Sequence, residues 1–191
     1  MAYNSKKLAY GVGRKGNGVA KTNGRQTKAY IAWKNMLRRC YCPKSLSRRP
    51  TYIGCSVCDE WLYFPTFQKW FDENHVDGFQ LDKDLLVSGN KIYGSDTCVF
   101  VPPQINSLFT DCGRARGGCP IGVCFEKRVN KFKAQVTIDG KRQHLGYFDD
   151  PEEAHNTYMK AKKENVIRIA NEWKDKISDK LYIALIKKAG D

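Results

Sequence analysis

Residues 78–109, GFQLDKDLLVSGNKIYGSDTCVFVPPQINSLF, constrain the fold of this chain more than any other stretch. Their pattern predicts an apolar strand ending at Leu81-Asp82, a loop carrying Asn90, a second strand over Cys98–Val101 and a short helix with Asn106. Three polar side chains, Asp82, Asn90 and Asn106, therefore stand at a strand end, in a loop and on a helix. Lys83 follows Asp82, and strand alternation sends the two to opposite faces.

The charge is distributed unevenly around this stretch. Residues 1–58 hold 13 Lys and Arg and no Asp or Glu, while the other 133 residues hold 20 of each sign. The net charge of +13 thus belongs to the first third of the chain. Tyr3, Tyr10, Tyr30, Trp33, Tyr41 and Tyr52 are interleaved with those cations. Basic groups neutralise phosphates and release counterions, and aromatic faces stack on bases, so the pattern points to a nucleic-acid partner more than to a solvated tail. No run of about 18 apolar residues exists, so no helix is expected to span a membrane. The start, MAYNSKKLAYGVGRKG, has no apolar core of signal-peptide length. The expectation is an intracellular protein whose eight cysteines stay reduced, as metal ligands or buried thiols.

At 191 residues the chain suits one or two small domains. Residues 1–27, rich in Gly, Asn and Lys and without periodicity, read as a flexible basic arm. Residues 28–110 form a first domain. Residues 111–120, DCGRARGGCP, carry four Gly or Pro in ten and read as a linker. Residues 121–174 form a second domain, and 175–191 a C-terminal helix that packs on that domain or makes a dimer.

In the first domain Ala29–Cys40 and Pro65–Asn74 read as helices, with Trp33, Met36, Leu37, Phe67, Trp70 and Phe71 at core spacing. Pro50 and Gly54 bracket an irregular stretch. Cys55 and Cys58 have the C-x-x-C spacing at which two thiolates chelate one tetrahedral metal. With Cys40 and Cys98, or with Cys42 in place of one of them, they make a candidate structural Zn²⁺ site. Four buried free thiols are the competing reading.

Three ordered blocks, YIAWKNMLRRCY, CSVCDEWLYFPTFQKWF and LDKDLL…GNKIYGSDTCVFVPPQINSLF, resemble the HNH endonucleases of phages and mobile introns, over roughly residues 28–110. The resemblance implies a ββα-metal fold, a hairpin and helix gripping one divalent cation. It implies Asp82 and Asn106 as ligands of Mg²⁺ or Mn²⁺ and Asn90 as the brace of the hairpin. It sets Lys83 where the family carries its general-base histidine. A carboxylate and an amide oxygen are hard ligands that leave positions for water and phosphate. A lysine with an ordinary pKa near 10.4 stays protonated, so Lys83 is expected to clamp phosphate rather than accept a proton. His75 and Asp84 stay open as other acceptors.

The second domain resembles the APETALA-type, ethylene-response-factor DNA-binding domain in IGVCFEKRVNKFKAQVTIDGKRQHLGYFDDPEEAHNTYMKAKKE. Read from its residues, it is three strands and a helix. Val129-Asn130 and Asp139-Gly140 make the turns, and Asp149 or Asp150 caps a helix whose first turn is Pro151-Glu152-Glu153. The resemblance implies a sheet that enters the major groove of double-stranded DNA, with Lys127, Arg128, Lys131, Lys133, Gln135, Lys141, Arg142 and His144 as contacts.

The sequence therefore predicts an α+β protein: a ββα-metal (HNH) nuclease domain followed by a three-stranded antiparallel sheet with a helix. The expected function is a metal-dependent DNA endonuclease in the cytoplasm of a phage-infected or intron-bearing host cell. A non-catalytic DNA-binding regulator derived from such a nuclease is the alternative, and a zinc-binding module that contacts RNA is a third reading.

Overall fold

A computed structural model describes residues 8–109 and 118–190. Residues 1–7 of the expected arm, Tyr3 among them, and most of the expected linker lie outside the described residues. The chain mixes helices with small sheets and divides into two units, Met1–Pro102 and Pro103–Asp191.

The first unit differs from expectation at its start, because part of residues 8–27 packs on the core: Ala20 is buried, and Ala9, Tyr10 and Val12 lie against it. A short hairpin, β1 (Lys21–Thr22) with β2 (Arg25–Gln26), turns through Asn23 and Gly24, both at positive φ. The Arg14 N–H donates to the Leu62 carbonyl at 2.7 Å, and the Phe64 N–H donates to the Arg14 carbonyl at 2.9 Å. A Cβ on Gly13 would lie 2.4 Å from Leu37 Cδ1 and 2.8 Å from the Trp33 ring. The glycine that suggested a flexible arm is there so that the backbone can lie against an aromatic core.

That core is built on two helices. Helix α1 (Lys28–Tyr41) is capped by Thr27, whose hydroxyl accepts from the Tyr30 N–H. Ala29, Trp33, Met36, Leu37 and Cys40 form its buried stripe. It ends at Cys42, whose extended backbone precedes Pro43 and the short helix α2 (Pro43–Arg48). Strand β3 (Ser56–Val57) follows, and α3 (Phe64–Asn74) buries Phe64, Phe67 and Phe71. The Trp33 indole donates to the Trp61 carbonyl at 2.7 Å, joining α1 to the turn before α3.

Strand β4 (Gln80–Asp82) ends at Asp82. Strand β5 (Ile92–Tyr93) pairs in parallel with β3. Strand β6 (Val99–Val101) pairs antiparallel with β4, setting Asp82 opposite Val99 and Leu81 opposite Phe100. The irregular stretch expected between Pro50 and Gly54 is a single 3-10 turn, Pro50–Tyr52.

The second unit opens with α4 (Pro103–Leu108). Strands β7 (Val123–Glu126), β8 (Lys131–Ile138) and β9 (Lys141–Phe148) form an antiparallel sheet in that order. Asp139 and Gly140, at φ 51° and 75°, make the tight β8–β9 turn. Asp150 caps the long helix α5 (Pro151–Trp173), its carboxylate accepting from the Glu153 N–H at 3.1 Å. Ala154 and Tyr158 of α5 pack on the sheet, and Tyr158 fits because Gly122 has no Cβ: one placed there would lie 2.1 Å from the ring. Helix α6 (Asp179–Gly190) lies along α5, burying Leu181, Leu185 and Ala189. The Tyr182 hydroxyl donates to Asn171 at 2.9 Å.

Candidate functional site

Strand β4 delivers Asp82 to the mouth of a long loop, and the loop fixes its carboxylate. Asp82 Oδ1 accepts the N–H groups of Asp84 at 2.8 Å and Leu85 at 2.7 Å. This is the turn that an Asp side chain makes with the backbone just beyond it. Burial raises the Asp82 pKa above the usual carboxylate range, and the two amide donors offset part of that rise. Asn90 closes the loop from the other side. Its amide donates to the carbonyls of Lys83 and Ile92, both at 2.7 Å, and its oxygen accepts from the Ile92 N–H at 3.1 Å.

Lys83 is turned into the protein, which differs from the expected phosphate clamp. It is 5 % exposed. Its ammonium bonds Asp84 Oδ1 and donates to the Asn90 carbonyl at 3.0 Å. It also lies 6.0 Å and 5.8 Å from the Tyr52 and Tyr93 ring centres. Burial lowers its pKa, but the Asp84 carboxylate more than compensates and leaves it raised. Strand β4 ends at Asp82, and in the bend just beyond it the Lys83 side chain turns inward to these partners. Position 83 therefore supplies neither a proton acceptor nor a surface cation.

The two other acceptors are also accounted for. His75 stacks on Phe71 at 4.4 Å and meets Phe100 edge-on at 5.2 Å. Phe100 sits opposite Leu81, whereas Asp82 sits opposite Val99, so the imidazole packs on the other face of the hairpin. Asp84 is exposed, with Oδ1 committed to Lys83. Asn106 lies half-buried in the middle of α4, in the second unit.

The four cysteines of the expected zinc site divide into neighbouring pairs. Cys40 lies within electrostatic reach of Cys55, and Cys98 within reach of Cys58. Cys55 is buried just before strand β3, while Cys58, half-buried just after it, lies beside Gly94. Among the described residues, no three His, Cys, Asp or Glu form a group able to hold a metal ion. Burial pushes the Cys40 and Cys98 thiols up to about 12.

In the second unit several expected contact residues share one face of the sheet. Ala134 and Val136 point to α5, so Lys131, Lys133, Gln135 and Thr137 point away from it. The register sets Lys133 opposite Tyr147, Gln135 opposite His144 and Thr137 opposite Arg142. Between those pairs it skips Leu145, a β-bulge that brings His144 and Tyr147 onto the same face with ring centres 4.6 Å apart. Lys127 and Arg128 are exposed in the β7–β8 turn, Lys141 flanks the β8–β9 turn, and Lys131 pairs with Asp149 at 3.0 Å.

Sequence reasoning missed Tyr147, because the bulge that exposes it leaves no signature in the alternation. It also missed the aromatic cage of Lys83 and its neighbour Arg39. The Arg39 guanidinium lies 5.6 Å from the Tyr52 ring centre and donates to the Tyr93 hydroxyl at 3.5 Å. The only hint in sequence was an arginine placed directly before a buried cysteine in the last turn of α1. Comparison with protein-family models, curated proteins and solved structures found no match.

Proposed function

We propose that this chain is a metal-dependent DNA endonuclease, cutting at the loop that carries Asp82 and reading duplex DNA with the outer face of the β7–β8–β9 sheet. The observation that carries the proposal is the Asp82 loop. A half-buried carboxylate stands at the end of an antiparallel hairpin, with one oxygen oriented by two amides and its loop locked by Asn90. A half-buried carboxylate with a raised pKa is a charge in want of a cation. Asp82 offers a carboxylate, the hard kind of ligand that Mg²⁺ accepts while keeping its waters. Bound there, the ion would supply positive charge to the scissile phosphate and acidify a water. The chain's own residues bind and orient: Asp82 holds its oxygens in a set plane, and Asn90 and the Lys83–Asp84 pair stiffen the loop.

The sheet supports the second half of the reading. Lys133, Gln135, Arg142, His144 and Tyr147 make a basic and aromatic strip on a ribbon narrow enough for the major groove.

The test is supercoiled plasmid with Mg²⁺ or Mn²⁺, read for nicked and linear product. Asp82→Ala should abolish cleavage while DNA binding survives. The inward Lys83 favours a second reading, a DNA-binding protein that does not cut. Tight duplex binding by wild type with no product in either metal would establish that reading instead.

A further inference from the structure

The cations of the first unit are not all spent on its core. At the corner where α1 meets α2, Arg38, Cys42, Lys44, Ser45, Arg48 and Arg49 line a pocket of about 210 Å³. Its floor is rigid. The Cys42 carbonyl accepts the N–H groups of Ser45 at 2.9 Å and Leu46 at 3.0 Å, and the Arg49 N–H returns to the Ser45 carbonyl at 3.0 Å. Pro43 and Pro50 fix the backbone on either side.

All four basic side chains are exposed, and none joins an ion pair with a described carboxylate. The reason lies in the sequence, since no Asp or Glu occurs before Asp59. Four cations around one concavity repel one another, and only a ligand that brings negative charge relieves the repulsion. The pocket is smaller than the roughly 300 Å³ at which small-molecule sites begin, so it suits one phosphate group and not a base. Arginine forks match phosphate oxygens in pairs.

We propose that this corner seats a backbone phosphate of duplex DNA, at a place separate from the Asp82 loop. The inference rests on the reading of the chain as DNA-acting, and adds an anchoring contact without sequence preference that holds the duplex on the first unit. The residues sit on two helices joined by a single residue, so the contact also sets the direction in which the strand leaves the pocket.

The experiment uses the full chain with Asp82→Ala, which keeps the DNA intact. A duplex of random sequence is titrated by anisotropy across a range of KCl. Arg48→Ala with Arg49→Ala should weaken binding, and the slope of log affinity against log salt should become shallower by about 2. Arg48→Lys with Arg49→Lys, which keeps the charge but not the forks, should fall between. Cys42 gives a local readout: duplex DNA should slow its alkylation several-fold, with Cys119 as the reference thiol. An unchanged slope together with an unprotected Cys42 would overturn the corner while leaving the endonuclease reading in place. Equal protection by heparin, or stronger protection by an RNA duplex, would overturn the assignment to DNA. A chain that binds no duplex at any salt would sink both readings.

Discussion

Lys83 shows how a residue's role depends on its direction. Its side chain is 6 % exposed and that of its partner Asp84 is 57 % exposed, so the two ends of one ion pair are not equivalent. Asp84→Ala leaves a buried ammonium with only the Asn90 carbonyl and the tyrosine rings, and, with Asp84 itself partly screened by solvent, should cost about 2–3 kcal/mol. Lys83→Met leaves only a solvated carboxylate and an unpaired Asn90 carbonyl, and should cost about 1–2 kcal/mol. Urea unfolding of the two variants checks the order, which is the reverse of what exposure alone suggests. Because the folded pKa of Lys83 is raised, the pair's contribution is fully present below the ordinary lysine value of 10.5 and is lost only as pH rises past the folded pKa. The gap between wild type and Lys83→Met should therefore be constant through neutral pH and close in strong alkali. Lys83→His should not accelerate cleavage, since an imidazole at 83 points away from Asp82. Faster cleavage by that variant would mean that the loop turns over in the DNA complex. The residue types at 82, 83 and 90 were legible in the sequence. The inward cage was not, because Arg39, Tyr52 and Tyr93 come from three separate segments.

Short elements explain where reading the sequence succeeded and where it stopped. Helices α1 and α3 were legible because their apolar residues repeat at helical spacing over three turns, and the β8–β9 hairpin because Asp-Gly dictates its turn. Strand β3 was not, since two residues carry no period. In metal-free protein the buried Cys40 and Cys98 thiols, pushed up to about 12, should stay unmodified at about pH 8 while Cys42 is alkylated. Elemental analysis finding one zinc per chain would overturn the paired arrangement. The packing of Gly13 against the core was hidden for another reason, as glycine reads alike in a mobile arm and in a close contact. Gly13→Ala drives a Cβ into Leu37 and Trp33, both fully buried, and should cost about 1–3 kcal/mol. Gly118→Ala, where a new Cβ meets nothing within 4 Å, is the control in thermal unfolding.

On the scale of the whole molecule, the proposed DNA binding would be shared between the two units. The first unit carries the basic corner and the second the basic outer face of the sheet, so the two should contribute separable shares of affinity. The sequence suggested residues 121–174 as the independent DNA-binding piece, but α6 changes that boundary. Leu181 and Leu185 of α6 are fully buried, and α5 buries Val166, Ile169 and Ala170 on its own second half. Ending the chain at 174 would expose that apolar stripe, at a cost of about 1.5–3 kcal/mol for each large side chain uncovered. A piece of 103–191, which keeps both α4 and α6 on α5, should therefore unfold cooperatively as a monomer, whereas 121–174 should melt at lower temperature or associate through the bare face of α5. In DNA binding, 103–191 should give a shallower salt slope than the full chain, because it neutralises fewer phosphates. Joining it to the first unit should raise affinity well beyond either part, since the second contact then forms at high effective concentration. Lys133→Ala with Arg142→Ala should weaken 103–191 and the full chain by similar factors if the outer face of the sheet is the reader. If the paired substitution leaves the isolated piece binding as before, recognition belongs to the first unit, and the sheet is a scaffold for α5 and α6.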